Sequence, residues 1–104
     1  MILRISQGRM DEQRKEEWLR SLAQELAPLC AAADGFRFLY FADWAEHPTD
    51  GYLAVTGWDT MEQSEAFFAS DTYKTWNHRR VPAFKVTYQV SNGTIVASKT
   101  GMHT

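Results

Sequence analysis

The stretch Ser70–Arg80, SDTYKTWNHRR, sets Tyr73, Trp76, Asn77, His78 and Arg80 within eleven residues. An imidazole with a pKa near ~6.5 takes up a proton at neutral pH, so His78 is the candidate for removing one from a phenol. Tyr73 and Trp76, three apart, share one side of a helix and could wall a flat aromatic ligand. The same spacing suits an aromatic stripe that seats the helix on a sheet. Arg79 and Arg80 bring positive charge for an anion, or for carboxylates of the protein itself. His47 falls in a turn and His103 near the end of the chain, with no His-x3-His or Cys-x2-Cys spacing, so no metal site is expected.

These side chains need elements to position them. Residues 1–6 alternate as a strand that ends at Gly8. From Asp11 to about Ala33, Trp18, Leu22, Leu26 and Leu29 recur at helical spacing, with Asp11 as N-cap, a kink expected at Pro28 and Asp34-Gly35 closing the helix. In the strand from Phe36 to Trp44, strict alternation puts Phe36, Phe38, Tyr40, Ala42 and Trp44 on one face and Arg37, Leu39, Phe41 and Asp43 on the other. A turn over residues 45–51 returns the chain into a strand from Tyr52 to Trp58. Thr60 with Gln63 matches a capping box and opens a helix carrying Met61, Ala66, Phe67 and Phe68. Ser70 or Asp71 caps the next helix, and Pro82 limits it. Phe84, Val86, Tyr88 and Val90 alternate with polar residues as a half-exposed strand. Asn92-Gly93 is a turn signal, which makes residues 94–99 either a bulged continuation or a short fifth strand, followed by a loose tail over 100–104.

The order β-α-β-β-α-β is the ferredoxin-like split βαβ arrangement: an α+β fold whose antiparallel sheet carries both helices on one face. The opposite face then has no helix to cover it. Aromatics such as Tyr40 or Phe41, Trp44 and Trp58 do not all fit on the helix side, so a homodimer packed through the sheet face is expected.

The 104 residues are read as a single domain, 44% hydrophobic, with a formal net charge of −2. Scattered basic residues exclude a nucleic-acid footprint, and no apolar run approaches the ~20 residues that span a bilayer. The opening MILRISQGRM lacks a secretory pattern, which makes the cytoplasm the expected location. The single Cys30, set among alanines, reads as a small core thiol.

The segments GFRFLYFADW and GYLAVTGWDTMEQSEAFFASDTYKTW resemble the antibiotic biosynthesis monooxygenase-like family of the dimeric α+β barrel superfamily, over about residues 35–78. The resemblance implies a dimeric α+β barrel and two kinds of chemistry. One branch oxidises phenolic, polyketide-like aromatics with molecular oxygen and neither metal nor flavin. For it the resemblance implies Tyr73 for phenol recognition, Trp76 for stacking, His78 as base and Arg80 as cation. Trp58 matches the tryptophan that closes the third strand, while Ala54 stands where some members have an asparagine. In the haem-degrading branch, the asparagine, tryptophan and histidine positions fall near Gln7 and on Phe67 and Asn77, and His78 lies one residue beyond. Gln7, beside Gly8 at a strand end, could also reach a barrel mouth as an amide donor.

The expectation is therefore a monooxygenase-like protein acting on a small aromatic without a cofactor. His78, Tyr73 and Arg80 are its catalytic candidates, and Gln7, Trp58, Phe67, Trp76 and Asn77 its substrate contacts. The alternatives are a non-catalytic ligand-binding or dimerisation module of the same fold, and a protein that binds or degrades haem.

Overall fold

The computed structural model describes residues 1–96. Strand β1 (Ile2–Arg9) leads through a 3-10 turn (Glu12–Arg14) into one long helical segment. That segment comprises α1 (Lys15–Ser21), a π-helical turn (Leu22–Leu26) and α2 (Ala27–Ala31). The hairpin β2 (Phe36–Asp43) and β3 (Gly51–Trp58) follows, then α3 (Met61–Phe68), α4 (Asp71–Arg80) and β4 (Thr87–Thr94). The sheet order is β2-β3-β1-β4 and every neighbouring pair is antiparallel.

Local chemistry explains where the helices begin. Asp11 accepts from the Gln13 N–H at 3.1 Å, Thr60 from the Gln63 N–H at 3.2 Å and Ser70 from the Tyr73 N–H at 3.2 Å, so each cap satisfies a free backbone donor. The irregularity expected at Pro28 lies one turn upstream. There the Ala27 N–H donates to the Leu22 carbonyl, five residues back, and this wider turn gives room to a ring that would crowd the carbonyl four residues before it. Gly35 closes the segment at φ +83°, a conformation in which a side chain is strained.

Trp18, Leu22, Leu26 and Cys30 from the long helical segment meet Phe67, Tyr73 and Trp76 from α3 and α4 over Tyr52 and Trp58 of β3. Both helical units therefore cover the same sheet face, as the βαββαβ order requires.

Two details depart from the simple strand readings. A β-bulge between Phe36 and Phe38 leaves Arg37 as an extra residue, so strict alternation fails across it. Phe36 turns to the helix side, its ring 5.5 Å from that of Trp58, together with Leu39 and Phe41. Phe38 and Tyr40 face the other way, and the Phe38 ring fills the space where a side chain on Gly57 would stand. The second departure is β4, which starts three residues later than the alternation from Phe84 suggests. Phe84 and Val86 are buried, but from a turn held by the Phe84 N–H to the Arg80 carbonyl and the Val86 N–H to the Val81 carbonyl. Asn92 and Gly93 make no turn. They pair with Arg4 and Leu3 of β1, because the free edge of β1 extends back to Ile2 and each paired residue recovers its backbone hydrogen bonds. Residues 97–99 of the suggested continuation, the tail over 100–104 and His103 lie outside the described residues.

Candidate functional site

The alternation of β1 sends Ile2, Arg4, Ser6 and Gly8 to the helix side, opposite Trp58, Thr56, Ala54 and Tyr52 of β3. Gly8 is required there, since a Cβ would come 2.4 Å from the Tyr52 ring. Between this face and the helices lies an interior cavity of about 40 Å³, room for a few water molecules. Trp18, Leu22 and Leu26 form its apolar wall, and Phe68, Tyr73, Trp76 and Asn77 its helical roof.

The polar groups of this cavity converge. The Asn77 amide nitrogen donates to the Tyr73 hydroxyl at 3.0 Å and to the Tyr88 hydroxyl at 3.2 Å, tying α4 to β4. Burial pushes the Tyr73 phenol up to about 12, and the neighbouring Tyr88 adds to this against the pull of Arg4. Burial likewise pushes Tyr52 up to about 12. Both phenols are neutral hydrogen-bonding groups at ordinary pH, and neither is a base there. Arg4 is half-buried, with its guanidinium carbon 3.5 Å from the centroid of the Phe68 ring. Among the described residues it has no ion-pair partner. A cation–π contact offsets only part of the cost of desolvating a cation, so this charge is left to be met by a ligand or by water.

Of the residues singled out from the sequence, Tyr73, Trp76 and Asn77 line this cavity. His78 does not: it is exposed on α4 and absent from the cavity wall. One residue is about 100° of helix, and Asn77 holds the inward direction. Arg80 also points elsewhere, donating through Nε to Glu25 Oε1 at 2.7 Å. Glu25, in the π-helical turn, also accepts from the Trp76 indole N–H at 3.0 Å and lies 3.9 Å from Arg79. The Arg80 hydrogen bond, chiefly, holds the Glu25 carboxyl below its ordinary pKa. Trp58 and Phe67 pack ring to ring at 5.3 Å in the core and do not line the cavity. Gln7 lies on the opposite sheet face, in a surface hollow beside Arg9, Trp44 and Gln89. Cys30 is fully buried and its thiol is pushed up to about 12 by that burial, which makes it a core residue.

Sequence reasoning passed over Arg4, Ser6, Tyr52, Thr56 and Tyr88. The available sign was Arg4 itself, a charge on the same face of a strand as Ile2. Among the described residues no three His, Cys, Asp or Glu side chains are grouped to hold a metal, and no helix is long and apolar enough to cross a membrane. A larger hollow of about 490 Å³, bounded by Leu29, Ala33, Ala66 and Phe67, opens on the outer surface between α2 and the α3–α4 pair, so Phe67 of the expected substrate contacts lines this hollow and not the interior cavity. Its polar lining is Asp34, Glu62, Gln63, Ser70 and Thr72, none of which holds a buried unpartnered polar atom as Trp18 and Thr56 do in the interior cavity, so the interior cavity is the better candidate.

No protein-family model and no curated protein matches the sequence. Solved structures do match. A protein from Bordetella bronchiseptica provisionally named an antibiotic biosynthesis monooxygenase is 23% identical, with a TM-score of 0.79 over 92% of this chain and 97% of that one. The chain has the antibiotic biosynthesis monooxygenase-like fold. HapK from Hahella chejuensis shares this fold at 10% identity and a TM-score of 0.80, covering 97% of this chain and 98% of its own. SnoaB from Streptomyces nogalater, a cofactor-independent oxygenase, is 12% identical with a TM-score of 0.73 over 93% of this chain and 94% of its own. In this monooxygenase-like fold the cavity between sheet and helices is a natural place for a small ligand.

Proposed function

We propose that the protein is a cofactor-independent oxygenase of small phenolic or enolisable aromatics, acting in the interior cavity. The observation that carries this reading is the half-buried Arg4, with no counter-ion among the described residues, beside the Tyr73–Asn77–Tyr88 cluster. Oxygenation of an aromatic without a cofactor requires the substrate itself to become electron-rich, by ionising to a phenolate or enolate. A fixed cation beside that oxygen stabilises the ionised form and the charge that develops as oxygen is reduced. In an anthrone-type substrate, a ring CH2 and one O2 become a ring C=O and one water, so four electrons leave the carbon and no outside reductant is needed. Neutral phenols and the Asn77 amide orient the substrate oxygen. The likeness in fold to a cofactor-independent oxygenase supports the absence of a cofactor from this scheme.

The working unit of this proposal is a homodimer. Leu3 and Ile5 of β1, Leu53 and Val55 of β3, and Phe38 and Tyr40 of β2 share the sheet face that the helices leave open, and Tyr40 is 65% exposed. A second copy laid on this face would bury that surface.

Oxygen consumption with anthrone tests the chemistry. The wild-type protein turns over, Arg4→Met loses tenfold or more in kcat/KM, on the order of 1.4 kcal/mol of transition-state stabilisation, and His78→Ala stays close to wild type. Loss of turnover in His78→Ala with Arg4→Met unaffected would return the base to His78. No turnover, with the aromatic still bound, leaves a ligand-binding module of the same fold.

A further inference from the structure

The interior cavity of about 40 Å³ is too small for an aromatic ring, since an engineered cavity that accepts benzene measures about 150 Å³. A lining side chain must therefore withdraw before a ring enters. Trp76 and Tyr88 each border this cavity and also a hollow on the surface, so withdrawal of either would open a passage. They differ in what holds them. Trp76 is 4% exposed, and its indole N–H donates at 3.0 Å to Glu25, which Arg80 also engages. Moving it exposes a large apolar ring and breaks a charge-assisted hydrogen bond. Phe68, a half-buried ring of the lining, is held by the rings of Phe67 and Tyr73 at 4.9 and 4.8 Å and by Arg4 at 3.5 Å.

Tyr88 is 37% exposed, whereas every other residue of the lining is buried or half-buried. It stands on β4, which is exposed along all eight residues, and among the described residues no strand pairs with the outer side of β4. One hydrogen bond between neutral groups, from the Asn77 amide at 3.2 Å, ties its hydroxyl to α4. When that bond breaks, the Asn77 amide keeps its bond to the Tyr73 hydroxyl at 3.0 Å, and the Tyr88 hydroxyl passes to water. No buried polar group is stranded by the movement.

We infer that Tyr88 is a lid that stands in for the ligand. In the empty protein its phenol takes the second hydrogen bond of the Asn77 amide. An entering phenolic ligand displaces the ring outward past the edge of β4, fills the space it leaves and takes over that bond. The lid thus favours ligands that carry an oxygen acceptor for Asn77, because a ring without one breaks the bond and replaces it with nothing. This rests on the interior cavity as the ligand site, and holds whether or not the ligand is then oxidised.

The test follows 4-nitrophenol binding to the full-length protein by the quenching of tryptophan fluorescence in stopped flow. Tyr88→Phe keeps the ring but cannot hold the latch. It is expected to bind the probe about fivefold more tightly, through faster association, the worth of one neutral hydrogen bond. Tyr88→Leu should associate at least as fast, and decides the matter should the phenylalanine variant fail to fold. Glu25→Gln, which loosens the hold on Trp76, should associate at the wild-type rate. The inference is overturned by equal or weaker binding in Tyr88→Phe, as a hydroxyl that touches the ligand would give. It is also overturned by faster association in Glu25→Gln alone, or by no binding of the probe. Tighter binding in Tyr88→Phe without oxygen uptake by the wild-type protein leaves the lid standing and removes the oxygenase reading. Oxygen uptake with unchanged binding in Tyr88→Phe does the reverse.

Discussion

Glu25 is the joint on which the roof of the cavity hangs. Its carboxylate accepts from the Trp76 indole at 3.0 Å and from the Arg80 guanidinium through both oxygens, fixing α4 to the π-helical turn. Trp76 is 4% exposed, so removing the acceptor strands a buried donor, worth about 1–2 kcal/mol. The Arg80–Glu25 pair, with each side chain 31% exposed, is screened by solvent and adds about 0.5–1 kcal/mol. Glu25→Ala is therefore expected to lower stability by about 2 kcal/mol, roughly 8 °C in Tm for a domain of this size. Glu25→Gln keeps an acceptor for Trp76 and should lose less than half of that. Urea unfolding followed by tryptophan fluorescence measures both variants. The carboxyl has its pKa depressed in the fold, chiefly by the Arg80 hydrogen bond. Its contribution is therefore present above the unfolded pKa of ~4.3 and is lost as pH falls through the folded value. The difference between wild type and Glu25→Gln should shrink over that acid range. An alanine variant within 0.5 kcal/mol of wild type, or a glutamine variant as damaged as the alanine one, would refute the joint.

Further outcomes follow from other contacts. Gly8→Ala places a methyl 2.4 Å from the buried Tyr52 ring, and overpacking should cost about 1–3 kcal/mol, read by thermal melting together with a loss of aromatic-ligand affinity. Tyr73 and Tyr52 have pKa values raised to about 12 in the fold, so the stability they contribute is whole below the ordinary phenol pKa and is lost as pH rises toward 12. Alkaline unfolding should weaken in steepness for Tyr73→Phe, and an identical alkaline profile would contradict the assignment. Val55→Glu puts a charge in the middle of the open sheet face and should turn a dimer into a folded monomer in sedimentation analysis, with far-UV circular dichroism unchanged. A wild-type monomer at micromolar concentration would remove the dimer.

The starts of the helices and the stripe of Trp18, Leu22 and Leu26 were legible in the sequence, because a cap and its donor lie two or three residues apart and the helical period repeats locally. The βαββαβ order was legible for the same reason, since each element is bounded by its own turn or cap. The bulge at Arg37 and the passage of β4 through Asn92-Gly93 were not. Both are set by pairing with distant partners, Phe36 with Trp58 and Asn92 with Arg4. The site divides along the same line. Tyr73, Trp76 and Asn77 could be found on α4 by composition, but whether Asn77 or His78 points inward depends on how α4 is rotated against the sheet. Arg4 stood in plain view as a charge on a strand. Only the assembled sheet and helices show that it enters an aromatic cavity with no carboxylate among the described residues to meet it, because an ion pair is decided by the side chains that packing brings near, from anywhere in the chain.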